Sequence, residues 1–320
     1  MIGMSVGIHI RRATHDDYEG VKAFTDKIWT DRGGDYIPKV YHDWLEDDGD
    51  DHKKTFLADA GDDVAGIVQA VMVSPDEAWF QGMRVNPDYQ RQGLSGRLND
   101  ACFKWAREQG ASVGRVMIFS WNAASLGAAR KSGLEPATEF RFAHPKPDSG
   151  ASGPDTVTND PAAAWRYWTH SDAREHLNGL GYAPEETWSM RELTRQDFLD
   201  FASDSGGGNG GNGAIDADDE TEVFAVERDG RYVGASYRLR TYERENDDGE
   251  SETWAEYGVG AWEDVDATRS LFAAISRDAA ALGADRTRVL IPETAAVVSD
   301  ASYAGATISE EPDFVLSGAL

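Results

Sequence analysis

Two segments far apart in the chain carry the same spaced residues. "RRATHDDY" (11–18) and "RELTRQDF" (191–198) each hold Arg, Thr, Asp and an aromatic at one spacing, so that Arg11, Thr14, Asp17 and Tyr18 match Arg191, Thr194, Asp197 and Phe198. Each reads as a Thr capping box that opens a helix. The echo continues downstream. "TFLADAGDDVAGIVQAVMV" and "VFAVERDGRYVGASYRLRT" are both hairpin patterns, with Phe56 and Gly66 matched by Phe224 and Gly234. "GRVMIFSWN" pairs with "TRVLIPETA", and "KSGL" with "YAGA". The order strand, helix, strands, helix, strand, helix, strand therefore runs twice, and 320 residues leave room for two domains of ordinary size. Residues 146–162 are rich in Pro, Gly, Ser and Asp and read as a linker, followed by "AWRYWTHSDAREHLNGLGY" as a helical connector. The expectation is two α/β domains, 1–145 and 187–320, joined by a linker and connector over 146–186.

The halves part company at one place. "VNPDYQRQGLSGRL" (85–98) follows the strand-like "AWFQGMRV" and precedes the helical "RLNDACFKWAREQG", which stops at Gly110. Its glycines thus lie in a strand-to-helix turn. A helix start presents unpaired N–H groups and partial positive charge, and glycine lets a ligand approach that backbone, so phosphate is the natural guest. Neither the GxGxxG of dinucleotide folds nor the GxxxxGK[ST] of a P-loop is present. The plainer alternative is that Gly93 and Gly96 serve only a tight turn and close helix packing. The matching stretch of the second half, "AWEDVDATRSLFAA", has no glycine, so only the first half can bind phosphate in this way.

Charge narrows the partners. Acidic residues number 57 against 31 basic, a formal net charge of -26, and such a field repels nucleic acid and anionic membranes. The acidic runs "EDDGDD" (46–51) and "DADDETE" (216–222) lack the ligand spacing of a calcium loop and read as solvated surface. With so few lysines, the composition resembles that of proteins from salt-loving organisms. No long uncharged apolar run exists, and "MIGMSVGIHIRR" suits neither a spanning helix nor a signal peptide, so a soluble cytoplasmic protein is expected. Cys102 is the sole cysteine, which excludes an internal disulfide and reads as a packed helix residue. His15 beside Asp16 and Asp17 invites a metal assignment, but the Thr14 cap accounts for acids at a helix start, and no metal is expected.

Over residues 8–143 the chain resembles the GNAT superfamily of acyl-coenzyme A dependent N-acyltransferases, on two motifs in the right order. "VNPDYQRQGLSG" is similar to the family's V-x-P followed by Q/R-x-x-G-x-G/A, with Gln90, Gly93 and Ser95 at the key positions; Ser95 stands where Gly or Ala is usual, and Gly96 follows. "WNAASLGAARKSGL" is similar to the family's later helix, with Asn122, Ser125, Lys131 and Gly133 matching and Leu134 in place of Phe. The resemblance implies layered domains, each a central mixed, mostly antiparallel sheet flanked by helices, with a degenerate second copy as in two-domain members. It implies acetyl-CoA as cosubstrate. Its pyrophosphate would lie on the backbone of Gln90, Arg91, Gln92, Gly93, Leu94, Ser95 and Gly96. Met83, Arg84 and Val85 would form the strand that pairs with the pantetheine arm, splayed from "RVMIFS", and Asn122 would contact the coenzyme near that arm. The acceptor would be a small-molecule or peptide amine.

The same resemblance asks for a proton-handling pair that this sequence lacks. The usual Glu position on the strand is Gln81, and the usual Tyr position is Ala129. Strand alternation puts Gln81 on one face with Met83 and Val85, where it can orient an amine or a water. Substitute bases, if used, would come from Asp76, Glu77, Glu139 or His144, each otherwise a solvated surface group. Direct attack by a water-deprotonated amine needs no dedicated pair, because positioning alone is a large effect. Acyl-CoA binding without turnover is the rival reading. The aromatics of "YIPKVYHDW" (36–44) either line an acceptor pocket or form the apolar face of a short helix.

Overall fold

The computed structural model describes residues 7–30, 32–46, 52–203, 222–246 and 249–320. The calcium-loop question at 46–51 and 216–222 falls, apart from Glu46 and Glu222, outside them. In chain order the first half holds β1 (His9–Arg12), α1 (Tyr18–Thr25), α2 (Ile37–Val40), β2 (Lys53–Asp59), β3 (Val64–Met72), β4 (Glu77–Val85), α3 (Leu94–Gln109), β5 (Val113–Phe119), α4 (Ala123–Lys131) and β6 (Glu135–His144). There follow β7 (Thr156–Thr158), α5 (Pro161–Trp168), α6 (Asp172–His176), β8 (Leu180–Tyr182), β9 (Met190–Glu192), α7 (Arg195–Asp200), β10 (Val223–Arg228), β11 (Arg231–Glu245) and β12 (Ser251–Tyr257). The chain ends with β13 (Ala261–Trp262), α8 (Val265–Ala281), β14 (Arg286–Pro292), α9 (Ala295–Tyr303), β15 (Thr307–Ile308) and β16 (Asp313–Ala319). No described helix is long and apolar enough to cross a membrane.

Contacts divide the chain into two compact units. The first comprises Met1–Ile118, Asn122–Pro136 and Val315–Leu320; the second comprises Phe119–Trp121 and Ala137–Phe314. In the first unit β1 to β4 run antiparallel in sequence order, β5 joins β4 in parallel, and β16 lies beside β5. In the second, β7, β10, β11 and β12 are antiparallel neighbours, β14 joins β12 in parallel, and β6 pairs antiparallel with β14. Both are the mixed, mostly antiparallel α/β sheet expected. The division differs from boundaries drawn along the sequence at 145 and 187. A strand goes where its hydrogen-bond partner is: β6 completes the second unit's sheet and the end of the chain completes the first. Part of the expected linker is also strand, since Thr156, Val157 and Thr158 pair with β10.

β3 is buried along nearly its whole length because it is covered on both faces. On one side Leu98, Cys102 and Ala106 of α3 are fully shielded; on the other Val21, Phe24, Ile37, Tyr41 and Trp44 pack over Leu57 and Ile67. Most of the 36–44 aromatics thus serve the core, while Tyr36 stays exposed. Cys102 is inside α3, and burial pushes its thiol far up, away from nucleophilic use.

The repeated residues adopt repeated structure. Thr14 and Thr194 each cap a helix start and donate their backbone N–H to the carboxylates of Asp17 and Asp197, at 2.8 and 2.6 Å. Arg11 and Arg191 grip those same aspartates with both terminal nitrogens. In the hairpins Phe56 faces Val68 as Phe224 faces Ser236, and Ala58 faces Gly66 as Val226 faces Gly234. The register then slips at the same place in both, after Ala58 and after Val226.

Candidate functional site

β4 and β5 pair only where they begin, through Glu77 with Val113, Ala78 with Gly114 and Trp79 with Arg115. Beyond Trp79, β4 keeps a ladder with β3 alone among the described residues. A parallel pair that opens in this way leaves strand backbone available to an extended ligand. Past that opening the ladder with β3 is itself irregular. Between Arg84, opposite Ile67, and Gln81, opposite Gln69, β4 has one more residue than β3, so a bulge sits at Gly82. Gly82 has φ +65°, and a Cβ there would lie 2.2 Å from the Trp44 ring.

The bulge corrects the strand-alternation expectation. Gln81 and Arg84 both stand opposite residues of one β3 face, whereas Val85 stands opposite Gly66 on the other. Gln81 therefore faces the α1–α2 side, away from Val85. A glycine inside a strand pattern is itself a bulge signal, and it was legible in "AWFQGMRV". On that side Arg84 is only 9% exposed and forms an ion pair at 2.6 Å with the wholly buried Asp35 carboxylate. Its guanidinium lies 3.9 Å from the centre of the Trp29 ring, stacked as a cation on an aromatic face. Sequence offered no signal for this pairing, since Asp35 and Trp29 lie on a connection whose path only the fold sets.

After Val85 the chain makes a short turn of 3-10 helix over Pro87–Tyr89, capped by the Asn86 side chain. Arg91 then takes φ +63° and Gly93 φ +75°, and α3 begins at Leu94. The first bond of the helix runs from Arg97 N–H to Gly93 O, and no side chain caps it. Among the described residues nothing accepts from the backbone N–H groups of residues 91–96. Gln90, Arg91, Gln92 and Gly93 are exposed, and Leu94 anchors the helix in the core. Ser95 and Gly96 are half-buried. A Cβ built on Gly93 or Gly96 would meet nothing within 4 Å. Close packing within the protein thus does not explain Gly96.

The second unit resolves its helix start differently. Trp262 pairs with Gly234 and α8 begins at Val265, with no glycine turn between. The Asp264 carboxylate accepts from the N–H groups of Asp266 and Ala267, at 3.1 and 2.9 Å. Arg228 pairs with it and helps hold it down to about 2. The chain's own anion takes the donors that stay open at α3.

The other site residues are dispersed. Asn122 caps α4, its side-chain oxygen accepting from Ser125 N–H, so the cap does not use its amide nitrogen. Ala129 is buried. Glu77 is buried and paired with Arg115 at the closed end of the β4–β5 pair, and exposed Asp76 bonds Ser74. Glu139 and His144 lie on β6 among second-unit residues. His144 places Nδ1 2.7 Å from the Thr287 carbonyl, and burial lowers its pKa. Asp17 beside His15 is engaged by Arg11 and the Thr14 cap.

Residues 21–134 match the model of the acetyltransferase (GNAT) family. That segment is a GNAT domain. It contains the opened strand pair, the glycine turn and α4. No curated protein matches the chain in sequence. Solved structures share its fold from end to end. A GCN5-related N-acetyltransferase from Sphaerobacter thermophilus is 13% identical over 98% of this chain and 95% of its own, with TM-score 0.59. A putative acetyltransferase from Thermoplasma acidophilum is 13% identical over 98% and 100%, with TM-score 0.54. One from Pyrococcus horikoshii is 15% identical over 98% and 90%, with TM-score 0.51. The family indicates an acyltransferase that uses acyl-CoA, and within the GNAT domain the residue that sequence reasoning missed is Gln69, which bonds Gln81 across β3 and β4.

Proposed function

We propose that the protein is an acetyl-CoA dependent N-acetyltransferase acting in the cytoplasm on a small-molecule or peptide amine, with its coenzyme site in the GNAT domain. The observation that carries this reading is the open space at Gly96 beside unpaired N–H groups, at the end of a strand that has left its partner. A glycine in a helix costs about 1 kcal/mol against alanine, and here no neighbour in the protein requires one. The N–H groups of residues 90–96 would hold the coenzyme's pyrophosphate, and the edge of Met83, Arg84 and Val85 that lies away from β3 its pantetheine arm. Asn122 would present its amide nitrogen nearby. The coenzyme supplies the activated acetyl group; the chain supplies orientation and backbone donors to the carbonyl.

The second unit reads as a degenerate copy of the first. Matching hairpin registers, matching slips and matching Arg–Asp–Thr caps support that descent, and Asp264 at its helix start supports the loss of a coenzyme site. A non-catalytic acyl-CoA sensor is the alternative, favoured by the absence of a titrating side chain at Gln81 and Ala129. Release of coenzyme A thiol on mixing the protein with acetyl-CoA and a panel of primary amines separates them. Amine-dependent release is the expected result; binding with no release for any amine supports the sensor.

A further inference from the structure

Gln69 has no exposure and sits between β2 and β4. Its Nε2 donates to the Trp44 carbonyl and to Thr55 Oγ1, each at 3.1 Å. A carbonyl only accepts, so Trp44 decides which end of the Gln69 amide faces it. Gln69 Oε1 is then left toward β4, where Gln81 Nε2 donates to it at 2.7 Å. The second amide is oriented by the first: Gln81 turns its nitrogen inward and presents Oε1. Turning it over would set two carbonyl oxygens against each other and lose a hydrogen bond in the interior, where water cannot replace it. Gln81 is half-buried, and among the described residues nothing donates to its Oε1. It stands one residue before the bulge, on the stretch of β4 without a β5 partner.

We propose that Gln81, locked through Gln69 to the Trp44 carbonyl, is the positioning residue for the acceptor: its Oε1 accepts an N–H of a neutral primary amine, and transfer proceeds with no base from the enzyme. This rests on the acetyl-transfer reading above. The amine lone pair forms the C–N bond to the thioester carbonyl carbon, and the C–S bond breaks with its electron pair going to sulfur. The surplus proton on nitrogen passes through water to that sulfur, giving the thiol. A carboxamide oxygen takes a hydrogen bond without taking the proton. It also adds no negative charge that would hold the amine as ammonium. The rate should therefore follow the amine's own deprotonation.

n-Propylamine and 2,2,2-trifluoroethylamine are close in size and far apart in basicity, and thiol release from acetyl-CoA is followed for both across pH. The rising limb of kcat/KM is expected to move to lower pH with the less basic amine. One limb at the same pH for both would show an enzymic base and overturn the proposal. Gln81→Leu should raise KM for either amine about tenfold, with acetyl-CoA affinity kept, as expected for one lost hydrogen bond. Gln69→Leu should do the same although it touches no ligand; if it does not fold, Gln81→Leu carries the test, since it leaves the Trp44 carbonyl paired. Gln81→Glu should add a limb common to both amines. An unchanged KM in Gln81→Leu overturns the positioning role. If neither amine turns over, n-propylamine is titrated into the acetyl-CoA complex while the Gln81 side-chain amide is followed by NMR; a shift there supports the role and none overturns it. Failure of acetyl-CoA itself to bind would instead remove the underlying reading.

Discussion

Gly96 separates two demands that usually coincide. A methyl group there meets nothing, so Gly96→Ala should stabilise α3 by about 0.5–1 kcal/mol while weakening acetyl-CoA binding. Thermal unfolding and calorimetry on one preparation read both signs, and stabilisation with unchanged affinity would return Gly96 to architecture. Gly93 behaves otherwise, because φ +75° suits no β-branched residue, and Gly93→Val should lose both stability and binding. Asp313, 8% exposed, is pushed up to about 7 by burial. A carboxyl whose folded pKa is raised gives its full stability below its unfolded value near 4, and loses it as pH rises through about 7. Asp313→Asn should remove that decline, so the Tm difference between variant and wild type grows in the variant's favour from pH 4 to pH 8. A constant difference would mean that the carboxyl is ionised in the folded protein.

At the scale of elements, the strand–turn–helix and both capping boxes were legible because each is local: a proline, glycines and a periodic apolar face follow one another in sequence. The bulge at Gly82 was half legible, since its glycine was visible but its partner, the Trp44 ring, comes from a distant turn. The exchange of final strands was not legible at all. β6 and β16 occupy equivalent places after a helix, and nothing in either strand's own residues names the sheet it joins. The exchange predicts that β16 matters to the GNAT domain. A chain ending at residue 312 leaves β5 without its outer neighbour, and should lose thermal stability and acetyl-CoA binding together; full binding in that truncated chain would show β16 to be dispensable. Asp264 makes the complementary point. Asp264→Ala removes a cap worth about 1 kcal/mol and an Arg228 partner, and should destabilise the protein without creating a second coenzyme site, since the glycine turn is missing.

The whole chain carries a net charge of -26, and like charges brought together by folding repel. Salt shortens the range of that repulsion to about 10 Å at 0.1 M and about 3 Å at 1 M, so Tm should rise with potassium chloride up to the molar range. A flat or falling Tm would show that local ion pairs such as Arg11 with Asp17 and Asp59 already offset the field. The same charge bears on a tetra-anionic ligand such as acetyl-CoA, whose affinity should improve as salt screens the surface. The most direct measurement is a calorimetric titration of the full chain with acetyl-CoA at low and at molar salt. One site per chain, weakened in Gly96→Ala and unaffected by Asp264→Ala, is the predicted result; no binding by the folded protein, or two sites per chain, would contradict an account that places the coenzyme on the glycine turn alone.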